Sequence, residues 1–175
     1  PHPAFEPWVR GSFDLEDVLH QCKADFLPAG IREAAEKTES VSGIVEGQAR
    51  FKYDAFMECP EIIEADFLLR EGAFKQKQWP FPLVLKEGRI RVGEENHFQA
   101  SGSWGASSFD AEGDFSLQGL SIDPRSMEVV ARLDLGQVWP VLSPGESPAV
   151  IKGSALCRSS IKKNGDLWSF EGTAN

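Results

Sequence analysis

The sequence predicts a mainly β protein, an antiparallel meander of about eight strands with one or two short helices at its N-terminal side. Two observations indicate this fold. From residue 43 onward apolar and polar residues alternate with a period of two, which is typical of strands with one buried face. The runs are joined by short connections, and strands connected in this way pair antiparallel. We therefore divide one domain into a helical cap segment, residues 1–42, and a sheet segment, residues 43–175.

The helices are predicted within residues 13–38. Ser12 offers an N-terminal cap, acidic residues follow it, and apolar positions recur at helical spacing. Pro28 can open a second helix, and Gly43 is expected to end the helical segment.

The sheet segment is divided by turn signals. Residues 86–88 (Lys-Glu-Gly) and 93–96 indicate turns, and residues 136–148 are expected to form a loop because they are rich in Pro, Gly and Ser. The Asn164–Gly165 pair between two alternating runs is the strongest hairpin signal in the chain. The alternating runs lie at residues 44–53, 63–70, 83–85, 90–92, 98–104, 109–117, 127–135, 151–157 and 168–174.

Charge and composition exclude several classes of protein. The net charge of −9 argues against nucleic-acid binding and against a polybasic membrane anchor. The sequence contains neither a membrane-spanning apolar run nor a signal peptide, and we expect it to be a segment of a longer protein. We interpret the three cysteines as small apolar residues, and a disulfide between Cys59 and Cys157 is the alternative that the sequence leaves undecided.

No pattern of catalytic residues is found, so we predict that the chain is not an enzyme and needs no cofactor. Its three histidines are scattered, and no nucleophile with a neighbouring base can be identified. Asp110, Glu112 and Asp114 share one strand face and could hold a hard cation. Their strand-like alternation does not fit a calcium loop, so we interpret them as a solvated acidic face.

The five tryptophans leave a second function open. Indole rings stack on sugars, so a carbohydrate-binding or structural interaction β-domain of an exported protein is the alternative hypothesis. Trp104 and Trp168 fall on the apolar strand face, whereas Trp8, Trp79 and Trp139 lie next to prolines and are expected in loops. Packing is the more common role for such residues.

Several short motifs occur along the chain. They are FLPAGI at 26–31 through VSG at 41–43, PFPLVL at 80–85, GRI at 88–90, GSWGAS at 102–107 and AEG at 111–113. With these motifs the chain resembles the AsmA-like family of bacterial bridge-like lipid-transfer proteins, the AsmA, TamB and YhdP type. The resemblance covers residues 26–120, with a weaker continuation to the end. The net negative charge, the three cysteines and the short length depart from the family pattern.

The resemblance implies a long, curved sheet, folded like a taco, whose concave apolar face carries acyl chains in the cell envelope. It further implies a periplasmic location, phospholipid or another acyl-chain lipid as ligand, envelope protein partners, and an inner-membrane anchor outside this segment. Glycine and alanine on the apolar face are expected to leave room for a lipid chain. The expected groove lining consists of Phe51, Phe67, Ile90, Phe98, Ala100, Gly102, Trp104, Phe109, Ala111, Gly113, Phe115, Val129, Ala131, Leu133, Trp168 and Phe170.

Overall fold

The computed structural model describes residues 5–22, 29–52, 61–118, 121–142, 152–164 and 167–175. Nine strands form one sheet in chain order, each antiparallel to the next, with β1 and β9 at opposite edges. The predicted mainly β fold, an open antiparallel meander, is therefore confirmed. The strands are Trp8–Asp14 (β1), Thr38–Lys52 (β2), Glu61–Gln76 (β3), Leu83–Val92 (β4), His97–Trp104 (β5), Ser107–Gln118 (β6), Ser121–Asp134 (β7), Ser154–Asn164 (β8) and Leu167–Ala174 (β9). The helices are Leu15–Gln21 (α1), Ala29–Lys37 (α2) and Leu135–Leu142 (α3).

The N-terminal segment is not purely helical, so the predicted boundary at residue 43 is wrong. Both expected helices are present, but β1 precedes them and β2 already begins at Thr38. The cap of α1 is Asp14 rather than Ser12, because the Asp14 carboxylate accepts a hydrogen bond of 2.8 Å from the Glu16 amide. All residues of β1 are exposed, and the alternation of Val9, Gly11 and Phe13 with polar residues was not recognised as a strand.

Two glycines that indicated breaks lie inside strands. Gly43 has a φ of +125° and lies at a register shift in β2, where its left-handed backbone allows the bulge. Gly88 belongs to the continuous strand β4, opposite Leu69 and Ala100, so no turn forms at residues 86–88. A bulge between Leu85 and Glu87 takes its place.

The expected loop after residue 135 begins instead as helix α3. Gly136 and Pro140 indicated a loop, yet Leu135 and Val138 are spaced as on one side of a helix. Val138 is buried, and the Gln137 side chain accepts a hydrogen bond of 2.6 Å from the Ala106 amide. Packing and this contact with the β5–β6 turn therefore outweigh the two helix-breaking residues.

The sheet is a single layer with little enclosed core. The chain exposes 12476 Å², whereas a compact protein of its mass, 19.3 kDa, exposes about 8,500 Å². Among the described residues seven apolar side chains are buried, and none is more than 98% covered. Helix α1 packs against β2, whereas the few contacts of α2 with β2 and of α3 with β7 are between elements consecutive in the chain, so the helices cover only parts of the sheet.

Candidate functional site

One face of the sheet is apolar across all nine strands. The pairing register joins Gly11, Gly47, Phe67, Ile90, Phe98, Gly113, Met127, Ile161 and Phe170 into a single row that crosses every strand. Strand side chains alternate between faces, so every second residue along each strand joins the same surface. At the regularly paired positions of this face among the described residues, Lys163 at the β8–β9 end is the charged residue; Glu71, Lys86 and Arg125 lie at irregular positions between the paired residues.

The structure places all sixteen predicted lining residues on this apolar face. Phe51 and Phe115 lie beside register shifts, and the other fourteen follow regular pairing. Their exposure differs: Phe115 is 5% exposed, whereas Phe170 at the sheet edge is 72% exposed. Trp104 is engaged in packing, since its ring lies edge-on to Phe81 and its Nε1 donates a hydrogen bond of 3.1 Å to the Phe81 carbonyl. The sequence therefore predicted which residues share the face.

A row of mostly small residues crosses the middle of the apolar face, perpendicular to the strands. We call it the small-residue row, and none of its members is buried. It runs from β4 to β9, over five inter-strand spacings, or about 24 Å. Its members are Gly88, Ala100, Ala111, Val129, Ser159 and Gly172.

Phenylalanine rings border the small-residue row where β5 pairs with β6. Phe98 pairs with Gly113 on one side of the Ala100–Ala111 pair, and Phe109 pairs with Gly102 on the other. A Cβ atom added to Gly113 would lie 2.8 Å from Phe98 Cε1, and one added to Gly102 would lie 3.1 Å from Phe109 Cζ. Each ring therefore occupies the space that its paired glycine leaves.

This arrangement corrects part of the expectation that glycines on the apolar face leave room for a ligand. At Gly47, as at Gly102 and Gly113, the space is taken by a cross-strand ring, here that of Phe67. At Gly88 the space stays open, because an added Cβ would have no neighbour closer than 3.8 Å. The floor of the small-residue row is therefore formed by its alanines and its own glycines. Sequence spacing could not reveal this, because the identity of the cross-strand partner depends on register.

The opposite face is polar and carries cross-strand ion pairs. The Arg89 guanidinium donates two hydrogen bonds to the Asp66 carboxylate, at 2.8 and 2.5 Å. His97 Nδ1 lies 3.0 Å from Asp114 Oδ1, and the Ser126 hydroxyl donates to the other oxygen of that carboxylate. The His97–Asp114 pair was missed from the sequence, although the alternation had already placed both residues on the polar face.

These contacts lower the pKa of two carboxyl groups. The hydrogen bonds from Arg89 lower the pKa of Asp66, and those from His97 and then Ser126 lower the pKa of Asp114. A carboxylate with a lowered pKa in the folded state stabilises the fold above its unfolded pKa, near 3.9. This stabilisation is lost as the pH falls through the folded pKa.

We therefore expect the melting temperature to fall as the pH is lowered from about 5 towards 2.5. In Asp66→Asn and Asp114→Asn the decrease over this interval should be smaller, because one of the linked carboxylates is missing. Thermal melts at closely spaced pH values measure the effect. Variants that lose stability with acid as steeply as the wild type would contradict this assignment.

The acidic residues of the polar face do not form a built ion site. Glu87, Asp110, Glu112 and Glu128 border a shallow depression of about 390 Å³. Within the described residues, no group of three His, Cys, Asp or Glu side chains is arranged to hold a metal ion. Cys157 is a free thiol, and Cys59 lies outside the described residues.

Comparisons with protein-family models, with curated proteins and with solved structures each find no match to this chain. In the part of the chain that the structure describes, no helix is long and apolar enough to cross a bilayer. The geometry of the two faces is therefore the basis for assigning a function.

Proposed function

We propose that this chain is a non-enzymatic lipid-binding segment whose apolar face holds acyl chains. The observation that carries the proposal is an almost uncharged apolar face, continuous across nine strands and without a second layer among the described residues. Exposed apolar surface costs about 25 cal/mol per Å² in water, so covering this face with hydrocarbon is strongly favourable. An extended apolar surface of this kind is typical of an interaction site.

The small-residue row is the part of the face best suited to an acyl chain. Ala100 and Ala111 form its floor between β5 and β6, and the Phe98 and Phe109 rings lie over the paired glycines on either side. Its length of about 24 Å exceeds that of one leaflet of a bilayer's hydrocarbon core, about 15 Å. A single chain can therefore lie along the row while the polar face stays hydrated.

The cellular part of the proposal rests on the sequence resemblance. We propose that the segment acts in lipid transfer or outer-membrane biogenesis in a bacterial periplasm, with phospholipid or another acyl-chain lipid as ligand. Envelope proteins are the proposed partners, and an anchor elsewhere in the full-length protein would hold it at the inner membrane. The net charge of −9 disfavours both nucleic acid and an anionic surface as partners.

Carbohydrate binding is the weaker alternative because the aromatic residues are dispersed. Trp8 and Trp168 are exposed, but they lie in β1 and β9, at opposite edges of the sheet. Trp104 packs on Phe81, and Trp79 packs edge-on against Phe74. The exposed tryptophans therefore do not lie side by side, and the exposed ring beside Trp168 is that of Phe170, on the apolar face.

Titration with cis-parinaric acid, a fluorescent fatty acid, tests acyl-chain binding. We expect saturable binding with a defined stoichiometry, displacement by phospholipid and no displacement by oligosaccharide. Because the contact would be apolar rather than ionic, binding should persist at high salt. A titration without saturation, or displacement by oligosaccharide alone, would contradict the proposal.

A further inference from the structure

Lys163 is the charged residue at the regularly paired positions of the apolar face, within the described part of the chain. It lies near the end of β8, opposite Trp168 of β9. Its side chain is only 25% exposed, and an ammonium group that leaves water needs partners to replace it. Nζ donates a hydrogen bond of 2.5 Å to Asp123 Oδ1 and lies 5.9 Å from the centre of the Trp168 ring. The fold therefore holds a cation and an anion together at one end of the apolar face.

The Lys163–Asp123 pair contributes little to the stability of the fold. The Asp123 side chain is 47% exposed, and solvent screens an ion pair that is this open. The Arg89–Asp66 pair, by contrast, lies on the polar face, where both groups would be hydrated without each other. A lysine among the apolar side chains of β8 and β9 is therefore better explained by a ligand on that face.

The pair has the capacity to bind two opposite charges at once. The Lys163 ammonium carries three N–H donors, of which Asp123 accepts one, so the others can donate to the oxygens of a phosphate. A carboxylate accepts at both oxygens, so Asp123 can hold Lys163 through Oδ1 and accept from a ligand ammonium group through Oδ2. The chemistry that fits is a phosphate next to an ammonium group.

The charge of the whole chain also favours a ligand without net charge. With a net charge of −9 the chain repels an anionic amphiphile. A zwitterion is not repelled, and its two charges match the two charges of the pair.

The position of Lys163 lets one ligand reach both the pair and the small-residue row. Lys163, Ile161 and Ser159 are alternate residues of β8, so they share the apolar face. Four residues of a strand span about 14 Å, and the acyl layer of one bilayer leaflet is about 15 Å thick. A chain that starts beside Lys163 therefore passes over Ile161 and enters the row at Ser159.

We propose that the Lys163–Asp123 pair binds the headgroup of a zwitterionic phospholipid whose acyl chain lies on the apolar face. The phosphate accepts hydrogen bonds from Lys163, and the ligand's ammonium group donates to Asp123. This headgroup site rests on the proposed acyl-chain binding, to which it adds the chemical class of the headgroup.

Displacement of cis-parinaric acid by three amphiphiles with the same single acyl chain tests the headgroup. Lysophosphatidylethanolamine carries both charges, lysophosphatidylglycerol only the phosphate, and monoacylglycerol neither. Below their micelle-forming concentrations, we expect the first to bind about tenfold more tightly than monoacylglycerol, with lysophosphatidylglycerol in between. Inorganic phosphate alone should displace nothing, because it lacks the chain.

Substitutions in the pair assign the preference to its two residues. Lys163→Gln should remove most of the preference, because the phosphate loses its donor, whereas Lys163→Arg should keep it. Asp123→Asn should make lysophosphatidylethanolamine bind like lysophosphatidylglycerol. Binding of monoacylglycerol should stay unchanged in all three variants, which shows that they fold. Lys162→Gln is the matched control: it removes the same charge from the preceding residue of β8, on the polar face, and should keep the preference.

Four results would overturn the headgroup site: equal binding of the three amphiphiles by the wild type, tighter binding of lysophosphatidylglycerol than of lysophosphatidylethanolamine, displacement by inorganic phosphate alone, or a preference that survives in Lys163→Gln. If monoacylglycerol still displaces cis-parinaric acid, acyl-chain binding stands without the headgroup site. If monoacylglycerol displaces nothing either, acyl-chain binding fails, and the headgroup site fails with it.

Discussion

The Ala111→Glu variant is expected to fold like the wild type and to lose acyl-chain binding. Ala111 lies on the floor of the small-residue row, paired with Ala100 and Val129, and it is not buried. Because no second layer covers it in the described part of the chain, a glutamate here keeps contact with water. In a closed core the same unpaired charge would cost several kcal/mol, a large share of a domain stability of about 5–15 kcal/mol.

Thermal melts combined with the cis-parinaric acid titration measure both effects. We expect a melting temperature within a few degrees of the wild type and at least tenfold weaker binding. Ser108→Glu is the matched control: it adds the same charge to the same strand on the polar face, opposite Arg132, and should preserve binding. A melt that collapses in Ala111→Glu would indicate a closed core, and unchanged binding would show that the ligand does not use this face.

The Gly113→Ala variant is expected to lose about 2 kcal/mol of stability, or about 6 °C in melting temperature. An added Cβ would lie 2.9 Å from Met127 Cα and 2.8 Å from Phe98 Cε1, and closer still to the Ser126 carbonyl oxygen. Backbone atoms cannot yield as a side chain can, so β7 must shift along with the ring.

Gly11→Ala provides the control for this effect. Gly11 lies on the same face in β1, and an added Cβ would meet no atom within 4 Å. There the substitution should leave stability unchanged or raise it by about 0.5 kcal/mol, because alanine lowers the entropy of the unfolded chain. Chemical denaturation of both variants gives the comparison. Equal stability of Gly113→Ala and the wild type would show that Phe98 does not pack over Gly113.

The fold and the membership of the apolar face could be predicted from the sequence because both depend on local alternation. Runs such as residues 98–104 and 109–117 alternate so regularly that only one assignment of faces buries the apolar residues. The β8–β9 hairpin was also predictable, and the pairing of Asn164 with Leu167 confirms it.

The remaining features depend on contacts between distant residues. Strand β1 pairs with β2, yet it is a short run that two helices separate from the other strands in the sequence, so its alternation was not assigned to the sheet. Helix α3 contains Gly136 and Pro140 and is held in place by Gln137 at the β5–β6 turn. The ring-over-glycine pairs require the register of two strands, which single-strand periodicity does not provide.

The most direct test of an acyl-binding face is mass spectrometry of the organic extract from the purified chain. The protein is expressed in a bacterial host, purified without detergent and extracted, and lipid is quantified per mole of protein. We predict about one or more phospholipid or fatty-acid molecules per chain, with a marked reduction in Ala111→Glu and no change in Ser108→Glu. A folded wild-type chain that carries no lipid, and that takes up none from phospholipid vesicles, would contradict the account.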